Sequence, residues 1–142
     1  MERRDAIVGM GAIAGAVFVK AAMAADSEHH HVSGKYADLI ASAAECVQTG
    51  QACINHCFML LGDGKKEMAA CARSVNQLIS VCNTLEALAA GESKLLGQYA
   101  KVAMEFCQEC EKECRKHEKH ELCKACAEAC AECAKECKAV SA

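Results

Sequence analysis

The chain has 142 residues, including 13 Cys, two Tyr and three Phe, and it has no Pro and no Trp. This length allows one small domain, and a proline-free chain with few aromatic residues favours helices over a sheet core. The formal net charge of -3 provides no basic stripe for phosphates, so nucleic acid is not an expected partner.

The first 24 residues have the pattern of an export signal. Arg3 and Arg4 precede an apolar run, residues 6–19, that is too short to span a bilayer comfortably. Ala22-Met23-Ala24 then gives a small-x-small cleavage site. The arginine pair resembles a twin-arginine signal, although Asp5 follows it, and the general secretory route is the alternative. We therefore expect export to the periplasm or another extracytoplasmic compartment of a bacterium, with no membrane span after cleavage.

Residues 25–32 form a short polar stretch that contains His29, His30 and His31. Because chain termini usually fray, we expect this stretch to be flexible after cleavage. The three imidazoles leave two interpretations open, a disordered polar tail and a weak metal-collecting arm.

Residues 33–142 contain four predicted helical segments, at 33–61, 65–90, 92–116 and 119–140. Gly62-Asp63-Gly64 ends the first and Gly91 ends the second, whereas His117-Glu118-Lys119 separates the third from the fourth without Gly or Pro. Short connections make neighbouring helices antiparallel. The sequence thus predicts an all-α fold, an antiparallel up-down-up-down four-helix bundle with a cysteine-lined core.

Cysteine takes core positions in every segment. Apolar or Cys residues recur at three-four spacing, which places them on one helix face, and charged residues fall between them. Five successive core positions of the last segment are Cys. The candidate metal ligands on these faces are Cys46, Cys53, Cys57, Cys71, Cys82, Cys107, Cys110, Cys114, Cys123, Cys126, Cys130, Cys133 and Cys137.

Packing alone does not account for so many cysteines. A core of Cys and Ala buries less apolar area than one of Leu, so another source of stability is expected, and a bound metal would supply it. Disulfides fit poorly, because the count is odd and neighbours along one helical face do not readily reach the bond geometry. Thiolates select Cu(I), Zn(II) or iron-sulfur clusters. Cu(I) suits a continuous ladder best, because it tolerates two or three shared thiolates per ion.

The two ends of the predicted bundle differ in composition. The end shared by the first and third connections collects soft and nitrogen ligands, which we expect to load copper: His56, Met59, Met68, His117 and His120. Core filling by Met and a solvated turn for His117 and His120 are the structural alternatives. The opposite end carries an apolar plug of Leu39, Leu85, Leu88, Leu96 and Tyr99.

This pattern resembles the bacterial copper storage proteins, above all their exported branch. The matching pieces are Cys46, Cys53-Ile54-Asn55-His56-Cys57-Phe58, Met68-Ala69-Ala70-Cys71, Cys82, Cys107-Gln108-Glu109-Cys110-Glu111-Lys112-Glu113-Cys114 and the cysteines from Cys123 to Cys137. The resemblance implies multiple Cu(I) ions held by these thiolates along the bundle axis. It also implies a homotetramer of bundles, and a copper-requiring enzyme is a conceivable recipient of the metal.

Two other functions stay open at this point. A thiolate-based buffer for zinc or for metals in general would use the same ligands. A thiol oxidoreductase would need an activated thiol at a helix N-terminus, and only Cys123 lies near one. The sequence shows no other recognisable catalytic set, so we expect a protein that is not an enzyme.

Overall fold

The computed structural model describes residues 34–141, and helices make up most of that range. They are α1 (Ala37–Gly62), α2 (Ala69–Ala90), α3 (Leu96–Arg115) and α4 (Glu121–Val140). α1 and α3 each pack against both α2 and α4, and the diagonally opposed helices approach each other only through side chains that meet at the axis, within the described range. The predicted all-α four-helix bundle is confirmed.

The predicted export signal (1–24) and the three N-terminal histidines lie outside the described residues. Among residues 34–141, no helix combines the length and the apolar character that a membrane crossing requires.

The first connection ends α1 with a left-handed residue. Gly64 has φ +80°, and the Lys65 amide donates to the Leu60 carbonyl at 2.9 Å, which is the Schellman arrangement that satisfies the last carbonyls of a helix. A single 3-10 turn, Lys66–Met68, follows. The second helix therefore begins at Ala69 instead of the predicted Lys65, because this turn carries the chain across to α2.

The second connection uses the same motif with a different residue. The predicted terminator, Gly91, has an ordinary φ of -85°, and Glu92 takes the left-handed conformation at φ +47°. The Ser93 amide donates to the Leu88 carbonyl at 2.9 Å. Because residues 92–95 complete this turn, α3 starts at Leu96 instead of the predicted residue 92.

The third connection lies where the sequence predicts it. α3 ends at Arg115, and the His117 amide donates to the Cys114 carbonyl at 2.9 Å. His120 is extended and immediately precedes α4, which begins at Glu121. The turn thus brings His117 and His120 to the end of the bundle that also holds the α1–α2 connection.

The stripes predicted from three-four spacing form the core. These stripes begin at Leu39, Met68, Leu96 and His120 in the four segments. All of their positions are buried except Leu60, His120 and Val140, which are partly buried. At Gly50 a Cβ would lie 3.0 Å from Cγ1 of Ile79, so the glycine permits close approach of α1 and α2. At the opposite end from the histidines, Leu39, Leu85 and Leu96 of the predicted apolar plug are buried, whereas its other members, Leu88 and Tyr99, are only partly buried against the core.

Candidate metal centre

The thirteen cysteine side chains all point into the bundle. Each is free and 0 % exposed to solvent. Four helices supply them, because in each helix the cysteines follow the face that packs against its neighbours. The predicted convergence of the sulfurs on a shared interior is confirmed, and packing around them leaves no thiol at the surface.

The sulfurs assemble into four groups whose members lie within 4.8 Å of one another. Two groups contain four sulfurs and two contain three. We call the group with one cysteine from each helix the four-helix layer, and the group nearest the α1–α2 connection the loading-end group. The four-helix layer is Cys46/Cys82/Cys107/Cys133, and the loading-end group is Cys53/Cys57/Cys71/Cys123. The two three-sulfur groups are Cys53/Cys114/Cys126 and Cys110/Cys126/Cys130.

Shared sulfurs join three of the groups into a ladder. Cys53 belongs to the loading-end group and to a three-sulfur group, and Cys126 belongs to both three-sulfur groups. The thiol of Cys130 raises the pKa of Cys46, so the two thiols are neighbours and connect this ladder to the four-helix layer. A metal ion at any level therefore has another set of sulfurs next to it along the axis.

Cys137 closes the ladder beside the plug. Among the described residues it joins none of the four groups. Its thiol is a neighbour of those of Cys107 and Cys133. Cys107 lowers the pKa of Cys137, but Cys133 and burial raise it more, so the pKa of Cys137 is about 12.

Several thiols meet across helices at contact distance. The sulfurs of Cys71 and Cys114 are 3.5 Å apart, and those of Cys53 and Cys123 are 3.7 Å apart. These contacts link α2 to α3 and α1 to α4. The pairs are free thiols, so the structure presents the sulfurs as potential ligands and not as a disulfide framework.

Hydrogen bonds among the thiols shift their pKa values in opposite directions. Interactions with Cys107 and other nearby thiols lower the pKa of Cys133. The same interaction with Cys133 raises the pKa of Cys107. A thiol that accepts several S–H bonds is more easily ionised, and its donors become harder to ionise. The three lowered pKa values all belong to α4, at Cys123, Cys126 and Cys133.

Imidazoles lie directly above the loading-end group. The rings of His56 and His120 are 4.8 Å apart at their centroids and tilted by 60°. Nε2 of His56 is buried and has no hydrogen-bond partner. A buried polar atom without a partner is costly, so this nitrogen is available to a ligand at little further cost in desolvation. His56 directly precedes Cys57 in α1, which places it beside the sulfurs.

A small cavity of about 100 Å³ opens at the same end. It is lined by His117, His120 and Met68, together with Leu60, Lys65, Glu67 and Lys119. His117 is buried, which differs from the solvated turn that remained an alternative for it. Met59 does not join this set, because its side chain is 64 % exposed on the outer face of α1.

The sequence analysis missed the charged residues around this cavity. Lys65 and Glu67 come from the turn between α1 and α2, and Lys119 comes from the turn before α4. Their closeness to Met68 depends on two connections meeting, which periodicity within a helix does not reveal. Their position after a helix-ending glycine and between two histidines is the signal that could have identified them.

Comparisons with known proteins identify copper storage proteins as relatives of this chain. A family model described as Csp, copper storage protein, matches residues 32–142. The chain is similar to the solved structure of apo-Csp3 (copper storage protein 3) from Bacillus subtilis, at 25% identity and TM-score 0.66, over 74% of this chain and 97% of that chain. The Cu(I)-bound copper storage protein BsCsp3 gives a TM-score of 0.67 at 25% identity, over 73% and 95% of the two chains. No curated protein sequence matches the chain.

Proposed function

The chain belongs to the copper storage protein family, and from that premise we propose that it stores multiple Cu(I) ions on the thiolates of its thirteen buried cysteines. The observation that carries the proposal is the ladder of overlapping sulfur groups in an interior closed to solvent. Soft thiolates select Cu(I), and shared sulfurs allow many ions to be held close together.

Charge balance favours several monovalent ions. A buried thiolate without a partner is costly, and each Cu(I) that binds neutralises one such charge. A bundle filled with one Cu(I) for each thiolate would hold no net charge along its axis. Because a divalent ion balances two thiolates, the same interior would balance only about half as many divalent ions.

Storage fits this geometry better than catalysis or delivery of single ions. A thiol oxidoreductase needs a reactive thiol that its substrate can reach, and all thirteen are 0 % exposed. A carrier of single ions needs one accessible site, whereas this core repeats its sites along an axis. The family is likewise one of storage.

We expect a titration of reduced protein with Cu(I) to test this function directly. Storage predicts about ten or more ions per chain, because shared thiolates approach one ion per sulfur. The far-ultraviolet circular dichroism should change little, since the helices already place the sulfurs within reach. Saturation at one or two ions per chain would refute storage.

Copper loads through the end that carries the imidazoles. His56 and His120 lie with their rings in tilted contact at this end, and Met68 and His117 line the cavity there together with His120. These ligands hold Cu(I) less firmly than a thiolate set, so an ion can pass inward. Met59, the remaining candidate from the sequence, is exposed on the outer face of α1 and does not line this cavity.

Loading kinetics distinguish this role from a structural one. His56→Ala should slow Cu(I) uptake but leave the final capacity unchanged, because it removes no thiolate. Asn55→Ala is the matched control, since Asn55 is the exposed neighbour of His56 on α1. Equal uptake rates in the two variants would show that His56 takes no part in loading.

The remaining features concern the protein in its cell. The arginine pair, the apolar run and Ala22-Met23-Ala24 support export with cleavage after residue 24 and a location in the periplasm or another extracytoplasmic compartment. Mass spectrometry of the protein recovered from the producing cell tests this, because it gives the mature N-terminus.

The bundle domain then comprises residues 33–142, after the short histidine-containing N-terminus. A copper-requiring enzyme is the proposed recipient of the stored copper.

An exposed apolar surface on α2 and α3 supports assembly into a homotetramer. Leu95 and Val102 are 60 % and 48 % exposed, and Leu88 and Tyr99 lie beside them. Apolar side chains grouped in this way commonly mark an interface. Val102→Glu should lower the molar mass measured by light scattering while helicity is retained, and an unchanged mass would exclude this surface as the contact.

A further inference from the structure

One sulfur group differs from the others in how its members are supplied. The four-helix layer takes one cysteine from each helix, and none of its sulfurs belongs to another group. The loading-end group instead takes two from α1 and none from α3, and it shares Cys53 with the next group. Unshared sulfurs suit a single ion, whereas shared sulfurs suit a cluster of ions.

The size and chemistry of the layer fit a tetrahedral divalent cation. Zinc is bound by thiolates at about 2.3 Å, so the sulfurs of a tetrahedral four-thiolate site are about 3.8 Å apart. The layer already holds its four sulfurs within 4.8 Å of one another. Small rotations of side chains would therefore close the site around an ion without a movement of the helices.

Neighbouring thiols can moderate the charge of such a site. A zinc ion with four thiolates carries a net charge of -2, which is costly to bury without hydrogen bonds. The thiol of Cys130 lies near enough to Cys46 to shift its pKa, and that of Cys137 is a similar neighbour of Cys107. Such outer contacts orient metal ligands and spread their charge.

We propose that, in the copper-free protein, this layer binds one Zn²⁺ ion through the thiolates of Cys46, Cys82, Cys107 and Cys133. The ion clamps all four helices at one level, next to the apolar plug, and adds to the stability that the plug gives the bundle before copper is loaded. This inference rests on the proposed thiolate ligands but not on copper storage itself, because it concerns a different cation and a single discrete site.

Two variants with equal numbers of cysteines test the assignment. Cys82→Ser removes a ligand of the layer, whereas Cys110→Ser removes a buried thiol that belongs only to a three-sulfur group outside the layer, and each leaves twelve cysteines. Zn²⁺ bound in competition with a chromogenic chelator should fall by one ion per chain in Cys82→Ser relative to Cys110→Ser. Equal zinc contents in the two variants would overturn the proposal.

Cobalt provides a readout that does not depend on how the variants fold. Co²⁺ in a tetrahedral four-thiolate site gives intense visible absorption and a thiolate charge-transfer band, since geometry is diagnostic of such sites. Wild-type protein should show both, and their absence would overturn the proposal. Should Cys82→Ser lose helicity, Cys107→Ser replaces it, because Cys107 is the α3 ligand of the same layer. A Cu(I) titration of the same wild-type protein tests storage separately.

Discussion

Sharing of sulfurs predicts that cysteines on one helix contribute unequally to copper retention. Cys126 belongs to two three-sulfur groups, and Cys137, further along α4, belongs to none. Cys126→Ala therefore reduces two metal positions from three sulfurs to two, and Cys137→Ala reduces none of the four groups. Both side chains are 0 % exposed, so the two variants lose the same buried atom.

The expected loss of affinity follows from the change in ligand number. Loss of a partner in the outer shell of a metal site already costs 10- to 100-fold in affinity. Loss of a directly bound sulfur should cost at least about 100-fold, which corresponds to about 2.7 kcal/mol per ion. Cys126→Ala should thus weaken about two ions per chain by this amount.

The assay is competition at a fixed excess of a Cu(I) chelator. The protein is first loaded to saturation, and the number of ions that the chelator removes is compared with wild type. We expect about two additional labile ions in Cys126→Ala and at most one in Cys137→Ala. Equal numbers of labile ions in the two variants would show that sulfurs are not shared as the structure indicates.

Three further predictions concern the fold. Gly50→Ala should destabilise the copper-free protein by about 1–3 kcal/mol in denaturant unfolding, because the new Cβ would lie 3.0 Å from Ile79; an unchanged midpoint would mean that Ile79 rotates away freely. Glu92→Gly should stabilise it by about 1 kcal/mol, because Glu92 has φ +47°, and a loss of stability would refute this. Stability of the reduced, copper-free protein should decline between about pH 9 and 12. The reason is that neighbouring thiols and burial raise the folded pKa of groups such as Cys137 from 9.0 to about 12. A melting temperature that stays constant across this interval would refute the prediction.

The sign of the pH effect follows from which state binds protons. A thiol whose pKa is raised in the folded state favours folding below its unfolded pKa and loses this contribution as the pH rises through the folded value. The thiols with lowered pKa, such as Cys133, are already ionised in both states above about pH 9. They therefore do not oppose the decline in that interval.

Periodicity within each helix predicted which residues form the core but not how they meet. Three-four spacing places Cys71 and Cys114 on inward faces, yet their 3.5 Å contact depends on the level at which α2 and α3 lie side by side. That level is set by the connections. The 3-10 turn after Gly64 and the left-handed Glu92 fix where α2 begins and ends, and neither feature follows from hydrophobic pattern.

At the loading end, too, the sequence predicted which residues meet but not how their side chains are arranged. The sequence placed His56, Met68, His117 and His120 at one end, because two connections of an up-down-up-down bundle meet there. It did not predict the tilted contact between the rings of His56 and His120 or the exposure of Met59, since both depend on the orientation of side chains around the helix axis. The sequence can thus predict which residues share one end of a bundle, but it cannot predict how their side chains are arranged there.

The axis of the bundle separates stability from metal binding. Leu39, Leu85 and Leu96 close one end, where the hydroxyl of Tyr99 also donates to the Val81 carbonyl at 3.2 Å and ties α3 to α2. These contacts stabilise the fold without metal, which allows the rest of the core to give up large apolar side chains for sulfur. The imidazoles of His56 and His120 lie at the other end, so the ladder of sulfurs separates the apolar contacts from the nitrogen ligands.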